Sequence, residues 1–315
     1  MKIKQLPEDF LVKELSTVVF QEKGKFKYFL LQKKNRTTLG VLQMLAVRFN
    51  TTLKMLGYAG NKDKVAITEQ VCSAKGVSRE AIERVDIPDV QLTYLGAGDK
   101  PISLGDLSGN QFTITVRDID ELPSVKEKSN SGFINYFGEQ RFSTDNAVVG
   151  KALVKKDFKT AAEILSKDNA SVRESLASLP TDFLRAIKTV PLRILQLYVH
   201  SYQSDLWNKA VQQCLLKHKL TQLSLPGFAM EREECIDAIM KQESVSERDF
   251  VIPQFPELSA EGGMRDLFVK VQDFTMGKLE ADELNPGRKK AVLQFTLGKG
   301  SYATEVVRQL FEESA

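Results

Sequence analysis

Residues that bind metals or form disulfide bonds are scarce in this sequence of 315 residues. The three cysteines, Cys72, Cys214 and Cys235, are odd in number and widely spaced. This spacing fits neither a disulfide framework nor a CxxC zinc site, so we expect three reduced cysteines that pack in the interior. The only histidines are His200 and His218. With so few cysteines and histidines, a zinc cluster is not expected, and neither is a Ser-His-Asp or Cys-His catalytic site.

Long hydrophobic runs are missing as well. No apolar stretch approaches the roughly 18 residues that span a bilayer, and the N-terminal sequence MKIKQLPEDF lacks the apolar core of a signal peptide. Hydrophobic residues make up 42% of the chain and charged residues 27%, as in an ordinary globular protein. We therefore expect a cytoplasmic protein with room for two domains.

Positive charge is concentrated near the N-terminus. The net charge of the chain is +3, but residues 1–64 contain thirteen Lys and Arg against five Asp and Glu, a net charge of +8. Lys23, Lys25 and Lys27 alternate with uncharged residues, which would place three cations on one side of a strand or hairpin arm. Such an array suits a phosphate backbone and favours a nucleic-acid partner. A solvated basic face is the alternative.

The order of strand-like and helical patterns predicts an α+β protein with an insertion. Short β-prone runs at Phe10–Leu15, Tyr28–Gln32 and Phe112–Arg117 predict strands near the start. Helical spacing dominates from residue 146 to about 265, and β character then returns. We therefore expect a discontinuous domain of residues 1–145 plus 266–315, with a mostly helical domain at 146–265. Further helices are expected at Thr38–Phe49, Glu121–Lys128 and Glu305–Glu313.

One charged turn stands out, at Gly57–Gln70, with the sequence GYAGNKDKVAITEQ. Asp63 lies between Lys62 and Lys64, just before a predicted strand at Val65–Cys72. An acid between two lysines at the start of a strand is a candidate catalytic carboxylate. From spacing alone, a surface carboxylate paired with a neighbouring lysine is the better interpretation, because such pairs are common and contribute little.

Five separated motifs together change that interpretation, and they occur in a fixed order. This set resembles the TruD-type tRNA pseudouridine synthases, which share the runs PEDF, AGxKDxxAxTxQ, GNxF, NYFGxQRF and GS[FY]AT. The resemblance covers both ends of the chain, and residues 146–265 match only loosely. In this sequence the motifs are PEDFLVKE at Pro7–Glu14, GNKDKVAITEQ at Gly60–Gln70, GNQFTITVR at Gly109–Arg117, NYFGEQRF at Asn135–Phe142 and LGKGSYATEVVRQLF at Leu297–Phe311.

The resemblance implies a fold and a set of site residues. It implies a pseudouridine-synthase fold, a mixed sheet with flanking helices, interrupted by the TruD insertion domain. It implies that Asp63 is the catalytic aspartate and that Phe10 lines the site. By the same matching, Asn135 contacts the uracil or ribose, Tyr302 packs against the target base, and Lys4 pairs with the aspartate. Tyrosine rather than phenylalanine at 302 keeps the ring and adds a hydroxyl that needs a partner or water.

The resemblance also implies the reaction and its partner. The expected substrate is tRNA, with a uridine of the D-stem region at position 13 converted to pseudouridine. This isomerisation needs no redox change, metal or cofactor, and we expect the enzyme to act as a monomer. Lys4 or Lys62 would supply the cation that favours an ionised Asp63. The alternative is a non-catalytic RNA-binding protein or RNA chaperone that uses the same basic N-terminal residues.

Overall fold

The computed structural model describes residues 1–124, 132–215 and 220–312. The chain forms two compact units. The first unit comprises Met1–Phe133 and Val269–Ala315, and the second comprises Ile134–Phe268. The chain therefore leaves the first unit once and returns to it once.

Strands and helices both occur throughout the described residues. The strands are β1 Phe10–Ser16, β2 Phe26–Lys34, β3 Leu56–Tyr58, β4 Ile67–Lys75, β5 Val90–Gly98, β6 Leu107–Ile119, β7 Phe133–Ile134, β8 Gln222–Leu225, β9 Gly263–Asp266, β10 Phe268–Val269, β11 Val271–Met276, β12 Glu280–Ala281 and β13 Lys289–Gly298. The helices are α1 Thr38–Arg48, α2 Arg79–Glu83, α3 Asn146–Val154, α4 Phe158–Asp168, α5 Ala170–Ser178, α6 Phe183–Lys188, α7 Leu192–Cys214, α8 Glu234–Gln242 and α9 Ala303–Glu312.

The first unit is built on one mixed sheet. Its strand order is β11-β13-β6-β1-β4-β2-β5, with β12 added beside β13 and β3 beside β4. Strands β1 and β4 run parallel, whereas β1 is antiparallel to β6 and β4 is antiparallel to β2. The predicted α+β class is confirmed, and the parallel pair brings the start of β1 beside the start of β4.

Alternating burial explains why these segments become strands. In β1, Phe10 and Val12 are buried, whereas Leu11 between them is 38% exposed. Phe112 and Ile114 of β6 face the same core, which α9 covers from its own apolar face through Val307 and other residues. Because side chains alternate across a strand, each strand contributes every second residue to this core.

Helix α1 packs a second core against the other half of the sheet. Thr37 caps this helix by accepting a hydrogen bond from the Gly40 N–H, at 3.1 Å. Leu42 and Leu45 on the inner face of the helix are fully buried against Phe29 and other residues of the sheet. The helix predicted at Thr38–Phe49 is thus present, and its N-terminus points toward the loop that precedes β4.

The second unit is mostly helical and has its own core. Helices α3 to α8 contribute to one core that includes Trp207, which is fully buried in α7 and donates from Nε1 to the Leu223 carbonyl at 3.3 Å. The unit begins at Ile134 rather than at the predicted residue 146. The physical reason is that Tyr136 and Phe137 pack against this helical core.

The cysteines and the segment after residue 120 differ from the sequence predictions or lie partly outside the described residues. Cys214 and Cys235 form a disulfide bond, with their Cα atoms 5.6 Å apart, so the expectation of three reduced cysteines is wrong. The packing of α8 against α7 brings the pair together, and only Cys72 is free and buried among the described residues. The helix predicted at Glu121–Lys128 extends into 125–131, outside the described residues.

Candidate active site

Asp63 lies in the loop between β3 and β4 and forms an ion pair with Lys4. The Lys4 Nζ donates to the Asp63 Oδ1 at 2.8 Å, and the two side chains are 21% and 24% exposed. Lys4 has a φ of +58°, a left-handed conformation that is uncommon for a residue with a Cβ. The carboxylate is therefore partly accessible to solvent, and it is held by a cation from a distant part of the chain.

Phe10 lies beneath this ion pair. The Lys4 Nζ is 4.0 Å from the centre of the Phe10 ring, close enough for a cation–π contact. Phe10 is only 2% exposed and makes an edge-on contact with Phe112, with ring centres 6.0 Å apart. In this structure Phe10 supports Lys4 from the core and presents no open ring face for a base.

The backbone ahead of Asp63 is fixed by two buried polar side chains. The Thr38 Oγ1 accepts a hydrogen bond from the Lys62 N–H at 3.0 Å and donates to the Gln70 Oε1 at 2.9 Å. The Gln70 Nε2 in turn donates to the Gly60 carbonyl at 3.1 Å. Gln70 of β4 and Thr38 of α1 thus tie both ends of Gly60–Lys62 to regular elements, which explains the glutamine at the end of the motif.

Lys62 pairs with Glu14 rather than with Asp63. Its Nζ lies 2.5 Å from the Glu14 Oε2, and both side chains are almost completely buried. The Glu14 Oε1 also accepts from the Val71 N–H at 3.3 Å. Lys4 therefore provides the cation beside Asp63, and Lys62 instead anchors the loop to β1.

Lys33 contacts Asp63 from the interior. Its Nζ donates to the main-chain carbonyl of Asp63 at 2.7 Å, and the residue is only 2% exposed. Burial lowers the pKa of the Lys33 ammonium to about 8, and the negative charge of Asp63 partly opposes this shift. Three lysines with different partners thus surround the same loop.

The start of β1 is held by a buried ion cluster. The Asp9 Oδ1 accepts from the Arg117 Nε at 2.9 Å, and the Arg117 Nη1 donates to the Asp282 Oδ1 at 2.9 Å. The Asp9 Oδ2 accepts from the Leu6 N–H, which closes the short 3-10 turn after Lys4. Burial works against ionisation of Asp282, but hydrogen bonds led by the Asp118 N–H hold its pKa well below the ordinary range.

Asn135 belongs to the second unit and is 7% exposed. Its Oδ1 accepts from the Arg265 Nη2 at 2.9 Å, and its Nδ2 donates to the Asp266 carbonyl at 3.1 Å. The guanidinium of Arg265 also lies 3.8 Å from the centre of the Phe137 ring. Each of these two amide atoms can form a second hydrogen bond, so a contact between Asn135 and uracil would add to these bonds.

The segment after Asn135 is bound to helix α7. The Asn208 Oδ1 accepts from the Phe137 N–H at 3.0 Å, and its Nδ2 donates to the Phe137 carbonyl at 2.9 Å. The Ser201 Oγ donates to the Arg141 carbonyl at 2.8 Å. One helix thus fixes the backbone of the NYFGEQRF motif at two places.

Tyr302 lies in the first unit, half-buried, immediately before α9. Its carbonyl accepts from the Glu305 N–H at 3.1 Å, which places it at the N-terminal turn of that helix. Gly300, two residues earlier, has a φ of +83°, where a glycine is strongly favoured. The five predicted site residues therefore divide into Lys4, Phe10 and Asp63 in one cluster, Tyr302 on a separate segment of the same unit, and Asn135 in the second unit.

Sequence reasoning missed several residues that hold this site. Glu14 and Gln70 lie within recognised motifs, so their position in a motif was an available signal. Phe29, Leu31 and Lys33 are alternate residues of β2, so their side chains point to the same face of the sheet. Because Phe29 and Leu31 are apolar, the alternation predicts that Lys33 is buried with them. No comparable local signal identifies Arg117 as the partner of Asp282.

Replacing Gln70 with leucine is expected to destabilise the first unit. Gln70 is fully buried, and the change removes the donor to the Gly60 carbonyl and the acceptor for the Thr38 hydroxyl proton. We expect the free energy of unfolding to fall by roughly 1–3 kcal/mol. Urea denaturation measures this, with Gln91→Leu on the exposed side of β5 as the matched control. Equal stability of the two variants would contradict the proposed anchoring.

Metal sites and membrane spans are both missing from the described residues. No group of three or more His, Cys, Asp or Glu side chains in 1–124, 132–215 and 220–312 is placed to hold a metal ion. In the same ranges no helix combines the length and apolar character needed to cross a membrane.

Comparisons with known proteins agree over nearly the whole chain. A family model described as tRNA pseudouridine synthase D (TruD) matches residues 1–175, 166–227 and 217–310. The probable tRNA pseudouridine synthase D of Methanosarcina acetivorans is 30% identical, over 98% of this chain and 92% of the relative. The tRNA pseudouridine synthase D of Aquifex aeolicus is 28% identical, over 99% and 98%.

A solved structure shows the same fold. The crystal structure of the putative tRNA pseudouridine synthase D from Methanosarcina mazei superposes with a TM-score of 0.74 at 27% sequence identity. The match covers 98% of this chain and 93% of that chain. The expectation of a pseudouridine-synthase fold with flanking helices is therefore confirmed.

Proposed function

Because this chain belongs to the TruD family of tRNA pseudouridine synthases, we propose that it isomerises uridine 13 in the D-stem region of tRNA through the carboxylate of Asp63. Membership of this family means that the chain is an isomerase that acts on uridine in tRNA.

The observation that carries the proposal is the ion pair of Lys4 and Asp63. The acid of the KD motif is 24% exposed, and the Lys4 ammonium lies 2.8 Å from its Oδ1. An ordinary surface pair would not require the left-handed φ of Lys4, the Phe10 ring beneath it or the buried anchors of the loop. Strained or strongly determined backbone of this kind clusters at functional sites.

The reaction requires a carboxylate at the sugar. The bond between uracil N1 and ribose C1′ breaks, the base turns, and a bond forms between C5 and C1′ while C5 loses its proton and N1 gains one. Asp63 serves either as the nucleophile at C1′ or as the base that removes the C2′ proton, and both roles need the ionised form. Lys4 donates a hydrogen bond to the carboxylate and so fixes its direction.

The target base must leave the helical stack before it reaches Asp63. Extrusion costs a few kcal/mol, and stacking on an aromatic ring offsets this cost by about 1–3 kcal/mol per base. Tyr302 is half-buried and has a ring suited to such stacking. Phe10 is too deeply buried for that role, so in this proposal it acts through its contact with Lys4.

Release of tritium tests the proposed activity. A tRNA transcript labelled with uridine tritiated at C5 is mixed with the purified chain and no added cofactor. Formation of the new bond at C5 must release the label to water, so we expect up to one equivalent per tRNA. A non-catalytic RNA-binding protein would bind the same transcript without release, and that outcome would support the alternative function.

The basic N-terminal segment supplies a second test. Lys23 and Lys25 lie exposed before β2, and only Lys27 is within the strand, so the three cations lie on the segment that leads into β2 rather than on one strand face. Changing all three to glutamine should weaken tRNA binding and make the slope of log K against log salt shallower, by about one for each phosphate that these lysines neutralise. Filter binding across a salt series measures both quantities.

The control is a charge-matched triple variant elsewhere in the first unit. Lys270, Lys278 and Lys289 are exposed and lie in or near the later strands β10 to β13. Their replacement by glutamine removes the same total charge. If both triple variants change the salt slope equally, the effect is one of net charge and the segment that leads into β2 has no special role.

A further inference from the structure

Lys33 is a buried cation that bonds a main-chain carbonyl. It lies in β2 opposite Thr68 of β4 and Val90 of β5, both uncharged. Among the described residues, no carboxylate comes within ion-pair distance of its Nζ, which donates instead to the Asp63 carbonyl at 2.7 Å. A buried ammonium without an ion pair is costly for the fold. A lysine at this buried position therefore calls for a reason other than stability.

We propose that Lys33 is a positioning residue for Asp63: its ammonium fixes the main chain of Asp63 from the interior while Lys4 fixes the carboxylate from outside. This inference rests on the catalytic role proposed for Asp63. A charge-assisted hydrogen bond is shorter and stronger than a neutral one, so the protonated amine holds the carbonyl more tightly than the neutral amine does. Two lysines on opposite sides then set both the position and the direction of the carboxylate.

The charges around Lys33 make this hold sensitive to pH. Burial lowers the pKa of Lys33 to about 8, the negative charge of Asp63 raises it and the positive charge of Lys62 lowers it further. Thr38, at the start of α1, contributes no charge. Three other lysines near this loop are paired, namely Lys62 with Glu14, Lys4 with Asp63 and Lys34 with Glu8, and Lys64 is exposed to solvent. Weakly alkaline solution therefore removes the proton that the positioning depends on.

The same shift gives a prediction about stability. The pKa of Lys33 is about 8 in the folded chain and about 10.4 in an unfolded one. Between these values the unfolded chain binds more protons, so stability rises with pH across that window and the buried charge is a cost at neutral pH. Removal of the charge should therefore leave the melting temperature at pH 7 unchanged or higher, even though activity falls.

The experiment compares Lys33→Met and Lys33→Gln with the wild-type chain. Single-turnover rates of pseudouridine formation are measured from pH 6 to 10, together with tRNA affinity and melting temperature. For Lys33→Met at pH 7 we expect a rate at least tenfold lower, tRNA affinity within twofold and no drop in melting temperature. The wild-type rate should decline near pH 8, and both variants should lack that decline. Lys33→Gln keeps a hydrogen-bond donor without the charge, so its rate should lie between those of the wild-type chain and Lys33→Met.

Matched variants decide between the outcomes. Lys34→Met, at the next position of β2 and on its outward side, should keep the wild-type rate and the decline near pH 8. A wild-type rate and pH profile in Lys33→Met would overturn the inference, and so would a rate loss that merely follows a lower melting temperature. Asp63→Asn in the same assay distinguishes failure of the proposed catalytic role of Asp63 from failure of the proposed positioning role of Lys33. If it is inactive while Lys33→Met is normal, only this inference fails, whereas an active Asp63→Asn removes the proposed function and this inference with it.

Discussion

Asp63→Asn is expected to lower the rate of pseudouridine formation by about a thousandfold or more while tRNA affinity stays within a few-fold of wild type. Asparagine has nearly the same shape, but it can neither attack C1′ as an anion nor accept the C2′ proton. The loop is held through Thr38, Gln70 and Lys33, which bond its main chain and leave the Asp63 carboxylate alone, so its backbone should keep its position. Single-turnover kinetics and filter binding measure the two quantities separately.

The control for this variant is Asp86→Asn, which changes an exposed aspartate in the same unit. It should retain the wild-type rate. A rate for Asp63→Asn close to that of Asp86→Asn would mean that another group carries the reaction, and Lys4–Asp63 would then be a structural ion pair. If Asp63→Asn bound tRNA much more weakly but converted bound tRNA at the wild-type rate, Asp63 would be a binding residue.

The second large effect is expected on stability, from Arg117→Met. Arg117 is 4% exposed and joins Asp9, at the entry to β1, with Asp282, which lies in the C-terminal part of the same unit. Removal of the guanidinium leaves two buried carboxylates without their cation. Loss of one partner from a buried ion pair typically costs roughly 3–5 kcal/mol, and we expect a decrease of that order in the free energy of unfolding. Urea denaturation at pH 7 measures it.

Arg288→Met provides the contrast for this second prediction. Arg288 bonds Asp118 and Asp120 at the surface, where ion pairs contribute little, so its loss should leave the unfolding midpoint close to wild type. Acid adds a further check, because the low pKa of folded Asp282 stabilises the chain above about pH 4 and this contribution disappears as the pH falls through the folded value. Equal midpoints for the two arginine variants would contradict the account of the buried cluster.

Local patterns in the sequence predicted much of the fold. The apolar face and cap of α1 lie close together in the chain, and the predicted helix at Thr38–Phe49 differs from the observed α1 only at its end. The predicted strand at Val65–Cys72 begins later, at Ile67, and continues to Lys75 because β2 pairs with it along that length. Period and capping are local properties, which is why they can be read without a structure.

Long-range partners could not be predicted in the same way. The disulfide joins cysteines 21 residues apart whose meeting depends on how α8 packs on α7. Arg117 and Asp282 are 165 residues apart, and Lys62 turns away from its neighbour Asp63 to reach Glu14. The sequence contains many oppositely charged residues that could pair with each charged side chain, and only the tertiary structure determines which of them does so. For the same reason, the residues alone favoured a surface carboxylate at Asp63, and only the resemblance to a family pointed to catalysis.

The most direct test maps pseudouridine at nucleotide resolution in a tRNA transcript after incubation with the chain and no cofactor. The wild-type chain should place one pseudouridine at position 13, a transcript with cytidine at that position should acquire none, and Asp63→Asn should leave both transcripts unmodified. Modification of the first transcript by Asp63→Asn at a wild-type rate would contradict the assignment of the catalytic carboxylate. Absence of any pseudouridine with the wild-type chain, despite tight binding, would contradict the proposed activity itself.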